Sequence, residues 1–519
     1  MSEASIALNR FGLGGRPGET GQDSKRALLG QLDRFDANPA PIAALPTTSA
    51  VAANLADYLE QSRQARLQRR TSGEPSQPQR PRRAGYKAPQ MDSGAAMDGA
   101  APAQSMQNAP EPGAAMTQSQ ANAVDPVARA VQFARRQGRE YYANSVNARM
   151  KAALVTPSPF VERLVHFWAN HFAVSIDKVT VVGLAGQLEF DAIRPHVLGK
   201  FRDMLFAVER HPAMLLYLDQ AQSLGPNSQF GQLVARRGGA QKAGLNENLA
   251  REIMELHTLG VRTVYTQADV TEFARAMTGW TVSGLGRGLG ARAAGVQGQP
   301  GDFLFAERLH EPGTRTILGK SWPQQGEAQA AAVLDMLAVH PATATHLATK
   351  LARHFAGDDP PPALVARLQA AYLKSGGDLP SVYRVLIESP ECWVDQPVKF
   401  KTPWEWTVSA LRALGTQDLP NLATVGLLNQ LGQPVWQPGS PPGWDDIAAS
   451  WAGPDAVLRR VEAAERMAQR TRDLVDARQR AAQLFPGALS PATTQAIARA
   501  ESPGQGVALM LVAPEFMRR

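Results

Sequence analysis

Fifteen consecutive residues, Asn246-Glu-Asn-Leu-Ala-Arg-Glu-Ile-Met-Glu-Leu-His-Thr-Leu-Gly260, crowd carboxylates, an arginine, asparagines and a histidine around a single stretch of backbone. Wound into a helix at about 100° per residue, Asn248, Arg251, Glu252 and Glu255 share one stripe. Leu249, Ala250, Ile253, Met254, Leu256 and His257 take the other. Glu252 and Glu255, three apart, can converge on one point, as carboxylate ligands of a divalent metal or an acid/base pair do. His257 points into the apolar face unless the helix ends near Leu256. Asn246 is a natural N-cap. A local ion pair between Arg251 and Glu255, i to i+4, is the structural alternative for both.

A second polar group sits in Glu162-Arg-Leu-Val-His-Phe-Trp-Ala-Asn-His171. Glu162, His166 and Asn170 form an i, i+4, i+8 stripe, whereas His171 falls on the apolar side with Leu164 and Phe167. The histidines are five apart, which excludes a helix-borne HExxH zinc pair. His171 could still meet Glu252 and Glu255 from a neighbouring helix; a core histidine with one backbone hydrogen bond is its structural reading. Thr266 and Asp269 make a capping arrangement for a helix that Gly279 stops just before Trp280. His310 lies on a loop, where a functional side chain is free to project. Trp436, Trp444 and Trp451 punctuate a Pro/Gly-rich stretch, either as a sugar-stacking platform or as loop packing. No phosphate loop, dinucleotide GxGxxG, GxSxG elbow or CxxCH is present, so nucleotide, flavin and haem signatures are lacking.

These groups need elements to hold them. Periodicity predicts helices over 127–151, 159–172, 192–208, 212–219, 248–259, 267–278, 327–338, 342–355, 362–374, 379–387, 403–414, 455–465 and 474–484. Strand signal is confined to 301–319, where Phe303–Phe305 and Thr316–Leu318 flank Glu311-Pro-Gly313 in the grammar of one small β-hairpin. The fold expected is mostly α, a multi-helical globular body. Leu205-Phe-Ala-Val before His211-Pro-Ala echoes Leu337-Ala-Val before His340-Pro-Ala. Val385 to Trp393 likewise echoes Leu509 to Met517. Neither echo has a fixed period.

Residues 61–125 change character. They are rich in Arg, Pro, Gly, Ser, Gln and Ala with almost no branched aliphatics, the composition of a disordered insertion. It separates an N-terminal helical segment, 1–60, packing on the main helical domain, 126–519. From Arg63 to Lys87 eight basic residues face one acid, Glu74, which accounts for the whole net charge of +7 on the 519-residue chain. The remainder is neutral on balance, so any affinity for nucleic acid belongs to this insertion. The single cysteine, Cys392, excludes internal disulfides and Cys-based zinc. No apolar run reaches a membrane span, and the first residues show no signal peptide, so the cytoplasm is the default expectation.

Several of these pieces together resemble the bacterial domain of unknown function 1800 family. They are Leu8-Asn-Arg-Phe-Gly-Leu-Gly14, Phe167-Trp-Ala-Asn-His-Phe172, Asn246 to Gly260, Tyr265-Thr-Gln267, Thr278-Gly-Trp280, His310 with Gly313, Leu318-Gly319, Lys350-Leu-Ala-Arg-His-Phe355, Gly376-Gly-Asp378 and Ser389-Pro-Glu391. The resemblance implies a helical protein with no established activity or catalytic residues. It also implies a sulfatase-like partner family, domain of unknown function 1501, whose members tend to carry twin-arginine export signals. Periplasmic export with such a partner is therefore a second expectation for localisation. The residues themselves suggest hydrolytic or acid/base chemistry carried by Glu252, Glu255, Arg251 and His171. Asn170, Asn246, Asn248, His257, His310 and Trp280 would contact substrate. Glu252, Glu255 and His171 are the candidate ligands of a divalent metal. The competing expectation is a non-enzymatic helical scaffold in which the charges are structural ion pairs.

Overall fold

The structure, a computed structural model, describes residues 2–19, 24–72, 126–236, 244–285, 298–397, 399–471 and 474–519. It contains two compact units. One comprises Met1–Asp57 and Ala134–Arg519; the other, Tyr58–Phe133, is built from the ends of two long helices, Thr48–Ser72 and Pro126–Val155. The helix over Thr48–Ser72 overruns the boundary expected at residue 61, and the expected insertion from 73 onward lies outside the described residues.

The chain is mostly helical, and proline opens helix after helix at the first turn, where its missing N–H costs nothing. The helices that bear on the site are α1 (Pro159–His171), α2 (Phe201–Glu209), α3 (Asn248–Glu252), α4 (Gln267–Met277), α5 (Pro341–Ala356) and α6 (Pro403–Ala413). The echo at His211 and His340 turns out to be a capping device. Each imidazole Nδ1 accepts the N–H two residues on, from Ala213 at 3.2 Å and from Ala342 at 3.1 Å. Two helix predictions need correction. The one over 192–208 is broken into a π-turn (Leu188–Ile193), a short 3-10 turn (Arg194–His196) and α2, because Pro195 and Gly199 interrupt it. The segment Asn421–Leu431, too uniformly apolar to show a stripe, is a helix that periodicity missed.

The single hairpin is also corrected, because the two candidate strands do not pair with each other. β2 (Phe303–Phe305) pairs antiparallel with β1 (Trp280–Val282), placing Thr281 opposite Leu304. β3 (Arg315–Ile317) pairs with β4 (Lys320–Trp322). The turn between β3 and β4 is Leu318-Gly319, with φ of 52° and 70°. Two consecutive positive φ values match the strand twist of a two-residue hairpin, a geometry Glu311-Pro-Gly313 does not supply.

α1 and α6 run through the core. Every residue of α6 is buried, Trp404, Trp406, Val408 and Leu411 among them, each large side chain contributing about 1.5–3 kcal/mol. A helix so enclosed has no water for its first N–H groups, and a Thr402/Glu405 capping box satisfies them instead. α1 buries Phe160, Leu164 and Trp168, and Trp168 donates its indole N–H to Tyr383 at 2.7 Å. Glu162, also fully buried, is matched by a two-pronged pair with Arg194 at 2.7 and 3.1 Å. Among the described residues no helix is long and apolar enough to cross a membrane.

Candidate functional site

α1, α5, α6 and the loop from Gln433 to Ile447 line a solvent-open cavity of about 420 Å³. α5 presents His346, Lys350, Arg353 and His354 to it, an i, i+4, i+7, i+8 stripe that helical winding places on one face. α1 contributes His166, Asn170 and His171, and α6 contributes Trp404 and Glu405. The loop adds Trp436 and Trp444 among prolines at 434, 438 and 442.

The histidines on the cavity wall have assignable tautomers. His171 Nε2 lies 3.1 Å from the carbonyl oxygen of His257, and His346 Nε2 lies 3.0 Å from that of Leu256. A carbonyl only accepts, so both Nε2 atoms carry the proton. His171 Nδ1 is then a bare acceptor, and Lys350 Nζ donates to it at 3.0 Å. The two carbonyls are consecutive because the chain after α3 continues as a π-turn, Ile253–His257. Such turns redirect carbonyls away from the regular helical ladder and recur at functional sites. On α1, His166 Nδ1 accepts from the Trp404 indole at 3.1 Å, leaving its protonated Nε2 3.5 Å from Glu162.

The carboxylates around the cavity are paired. Glu405 lies between Arg163 and Arg519, with Arg519 Nε 2.9 Å away. Asp446 meets His354 Nδ1 at 2.9 Å and Lys399 at 3.1 Å. Burial works against ionisation of both. The flanking Arg519 and Arg163 at Glu405, and His354 and Lys399 at Asp446, hold each carboxyl well below the usual carboxylate range. Arg149 pairs with Glu189 at 2.8 Å and stacks over the Trp404 ring, 4.1 Å from its centroid. Two cations differ. Among the described residues Lys350 and Arg353 have no carboxylate partner; Lys350 donates to His171, and Arg353 Nε donates to the main-chain oxygen of Asp358 at 3.3 Å. Burial, partly offset by Asp446 and reinforced by Arg353, pushes the Lys350 ammonium down to about 8. Burial and Lys350 also lower His346 to about 4 and His171 well below the ordinary imidazole value.

The residues expected from sequence divide sharply. His171 is at the centre of the cavity. Asn170 lines it, yet both ends of its amide are spent on the main chain of Trp444, donating to the oxygen and accepting from the N–H at 2.8 Å each. It is a strut for the tryptophan loop. Gly443 fits beneath it at φ +86°, where a Cβ would run into the Asn170 main-chain oxygen. His257 is turned away, fully buried, with Nδ1 2.7 Å from Glu209. The ion pair between Arg251 and Glu255, the structural alternative for both, is absent among the described residues. Arg251 reaches back to Glu247 at 3.1 Å, the more favourable order on a helix, and to Gln267 at 2.9 Å. Asn246 donates to the carbonyls of Leu218 and Asp219 at 3.2 and 3.1 Å, and its Oδ1 receives the Asn248 N–H at 2.9 Å; Asn248 itself is exposed. His310 binds the Thr278 carbonyl at 3.0 Å, and Trp280 is buried in β1 near Arg210. Neither lines the cavity.

Glu252 and Glu255 are half-buried outside the cavity lining. Burial raises Glu252, with His257 opposing and Glu255 adding to the rise. Among the described residues no group of three or more His, Cys, Asp or Glu side chains is arranged to hold a metal ion, the set Glu252, Glu255 and His171 included. The functional candidates that sequence reasoning missed are His346, Lys350, Arg353 and His354. Their spacing on one face of a helix was the available signal.

The fold and the cavity thus define a mostly helical protein with a cation-bearing cleft between its central helices. The chain belongs to the family described as protein of unknown function (DUF1800), whose model matches residues 6–518, so the whole site lies inside the family's span. No curated protein and no solved structure matches it.

Proposed function

We propose that the cavity binds a small anionic substrate and performs acid/base chemistry on it, with Lys350 and His171 moving the proton. The observation that supports this most directly is the Lys350 ammonium. It lines the cavity, lacks a carboxylate partner among the described residues, and donates to a neutral imidazole. A charge held in that way is short of a counter-ion, and an anionic ligand supplies one. Arg353, three residues further on the same helix, has guanidinium N–H groups left for a carboxylate, phosphate or sulfate. An acid/base group works best when its pKa is near the working pH, and Lys350 at about 8 meets that condition. The rings of Trp404 and Trp444 give the ligand apolar walls.

Inorganic sulfate and phosphate, compared with chloride at matched ionic strength, test the reading. A saturable rise in melting temperature is expected for the native chain and is lost in both Lys350→Met and Arg353→Met. An equal response in all three proteins would overturn it. A non-enzymatic scaffold finds support in the complete pairing of Glu162, Glu405 and Asp446, and predicts no saturable response at all.

A further inference from the structure

Among the described residues that line the cavity, Lys350 carries the one primary amine. The geometry points to imine formation between Lys350 Nζ and the carbonyl carbon of a 2-oxo acid whose carboxylate sits on Arg353. This rests on the reading of the cavity as an anion site and names the class of anion.

Three observations carry it. First, an amine attacks only without its proton, and here no carboxylate pairs with the ammonium to hold that proton in place. Burial and the neighbouring Arg353 favour the neutral form, with Asp446 opposing. Second, a proton acceptor is already in position: His171 Nδ1 lies 3.0 Å from Nζ, its lone pair kept free because the other ring nitrogen is committed to the His257 carbonyl. Third, Arg353 lies one turn further along α5 and lines the same cavity, so a carboxylate bound there leaves its adjacent carbonyl within the space Lys350 faces.

The step balances without any further reactant. The neutral amine donates its electron pair to the carbonyl carbon, a C–N bond forms, and the C=O pair moves onto oxygen. The amine's two protons pass by way of His171 to that oxygen, the C–O bond breaks, and water leaves, giving the C=N bond. Leu256, Trp404 and Trp444 line the cavity with apolar surface.

Full-length protein treated with pyruvate and sodium borohydride, followed by peptide mass mapping, tests the inference. Lys350 should gain one reduced pyruvate saturably and far ahead of the exposed Lys374, and inorganic sulfate should suppress the gain. Acetone, which has the carbonyl but no carboxylate, should label Lys350 weakly; lactate, which has the carboxylate but no ketone, should not label it. Arg353→Met should cut pyruvate labelling about tenfold, the loss of one charge-assisted contact, and acetone labelling by much less. Labelling of Lys350 no greater than that of Lys374 overturns the inference. If sulfate still raises the melting temperature in that case, the anion site stands and only the imine fails.

Discussion

Replacing Lys350 by methionine should make the protein more stable while ending anion binding. The ammonium is forced into a site that disfavours its charge. The fall from the ordinary lysine value of 10.5 to about 8 corresponds to roughly 3 kcal/mol of destabilisation wherever the group is protonated in both states. Methionine has a similar length and no charge, so it removes that cost. It also loses the charge-assisted hydrogen bond to His171, about 2 kcal/mol. The net expectation is a gain of about 1 kcal/mol near neutral pH. Between about 8 and 10.5 the unfolded chain still binds the proton that the folded chain has released, so stability of the native protein rises with pH across this window. The advantage of Lys350→Met should therefore shrink as pH climbs from 8 to 10.5. The groups that face Lys350 are His171, His346, Arg353 and Asp446. Both histidines and Asp446 titrate below the window, which leaves Lys350 to dominate the difference between the two proteins. Urea unfolding of both proteins at several pH values measures it, and subtracting one curve from the other cancels ionisations elsewhere. A less stable variant, or a difference that stays flat with pH, would refute the argument that the cavity holds a strained cation.

Glu162→Gln should cost about 3–5 kcal/mol, because it leaves the fully buried Arg194 without its counter-charge; chemical denaturation reads this directly, and a loss under 1 kcal/mol would contradict the pairing. Gly443→Ala should lose about 3 kcal/mol, since a Cβ at positive φ meets the Asn170 main-chain oxygen. The same variant should change the fluorescence of Trp444, which reports whether the loop has lifted. Arg251→Ala should change stability by less than about 1 kcal/mol, its pair with Glu247 being partly exposed; a larger loss in a thermal melt would restore a structural role to that stripe.

Helix starts were readable because they are local: a proline at the first turn, a histidine or threonine just before it, a glutamate three residues on. The two histidine caps illustrate this, one visible pattern at His211 and His340 giving one geometry twice. The site was harder for two physical reasons. Its parts meet at long range, Lys350 and His171 being 179 residues apart and Trp404 and His166 being 238 apart, and periodicity says nothing about which helices will face each other. More subtly, the segment from Asn246 to Gly260 contributes through its backbone. Its glutamates and arginine drew attention as reactive side chains, but what it delivers to the cavity is two carbonyl oxygens, and any residue carries a carbonyl. The pairing of β2 with β1 was hidden for the same reason as the site, since β1 lies far back in the sequence, whereas the β3–β4 turn is local but falls at Leu318-Gly319 in place of Glu311-Pro-Gly313.

The π-turn at Ile253–His257 therefore makes this segment sensitive to length more than to composition. The side chain at 256 can change while the carbonyls stay where they are, whereas His257 is held by its contact with Glu209. Removing one residue would convert the π-turn to a regular α-turn and rotate everything beyond it by about 100°. Both oxygens would then leave His171 and His346, and each imidazole would be free to flip its proton to the other nitrogen. Mutational tolerance at this stretch should accordingly look uneven, permissive to substitution at its outward positions such as Asn248 and Arg251 and closed to a single deletion.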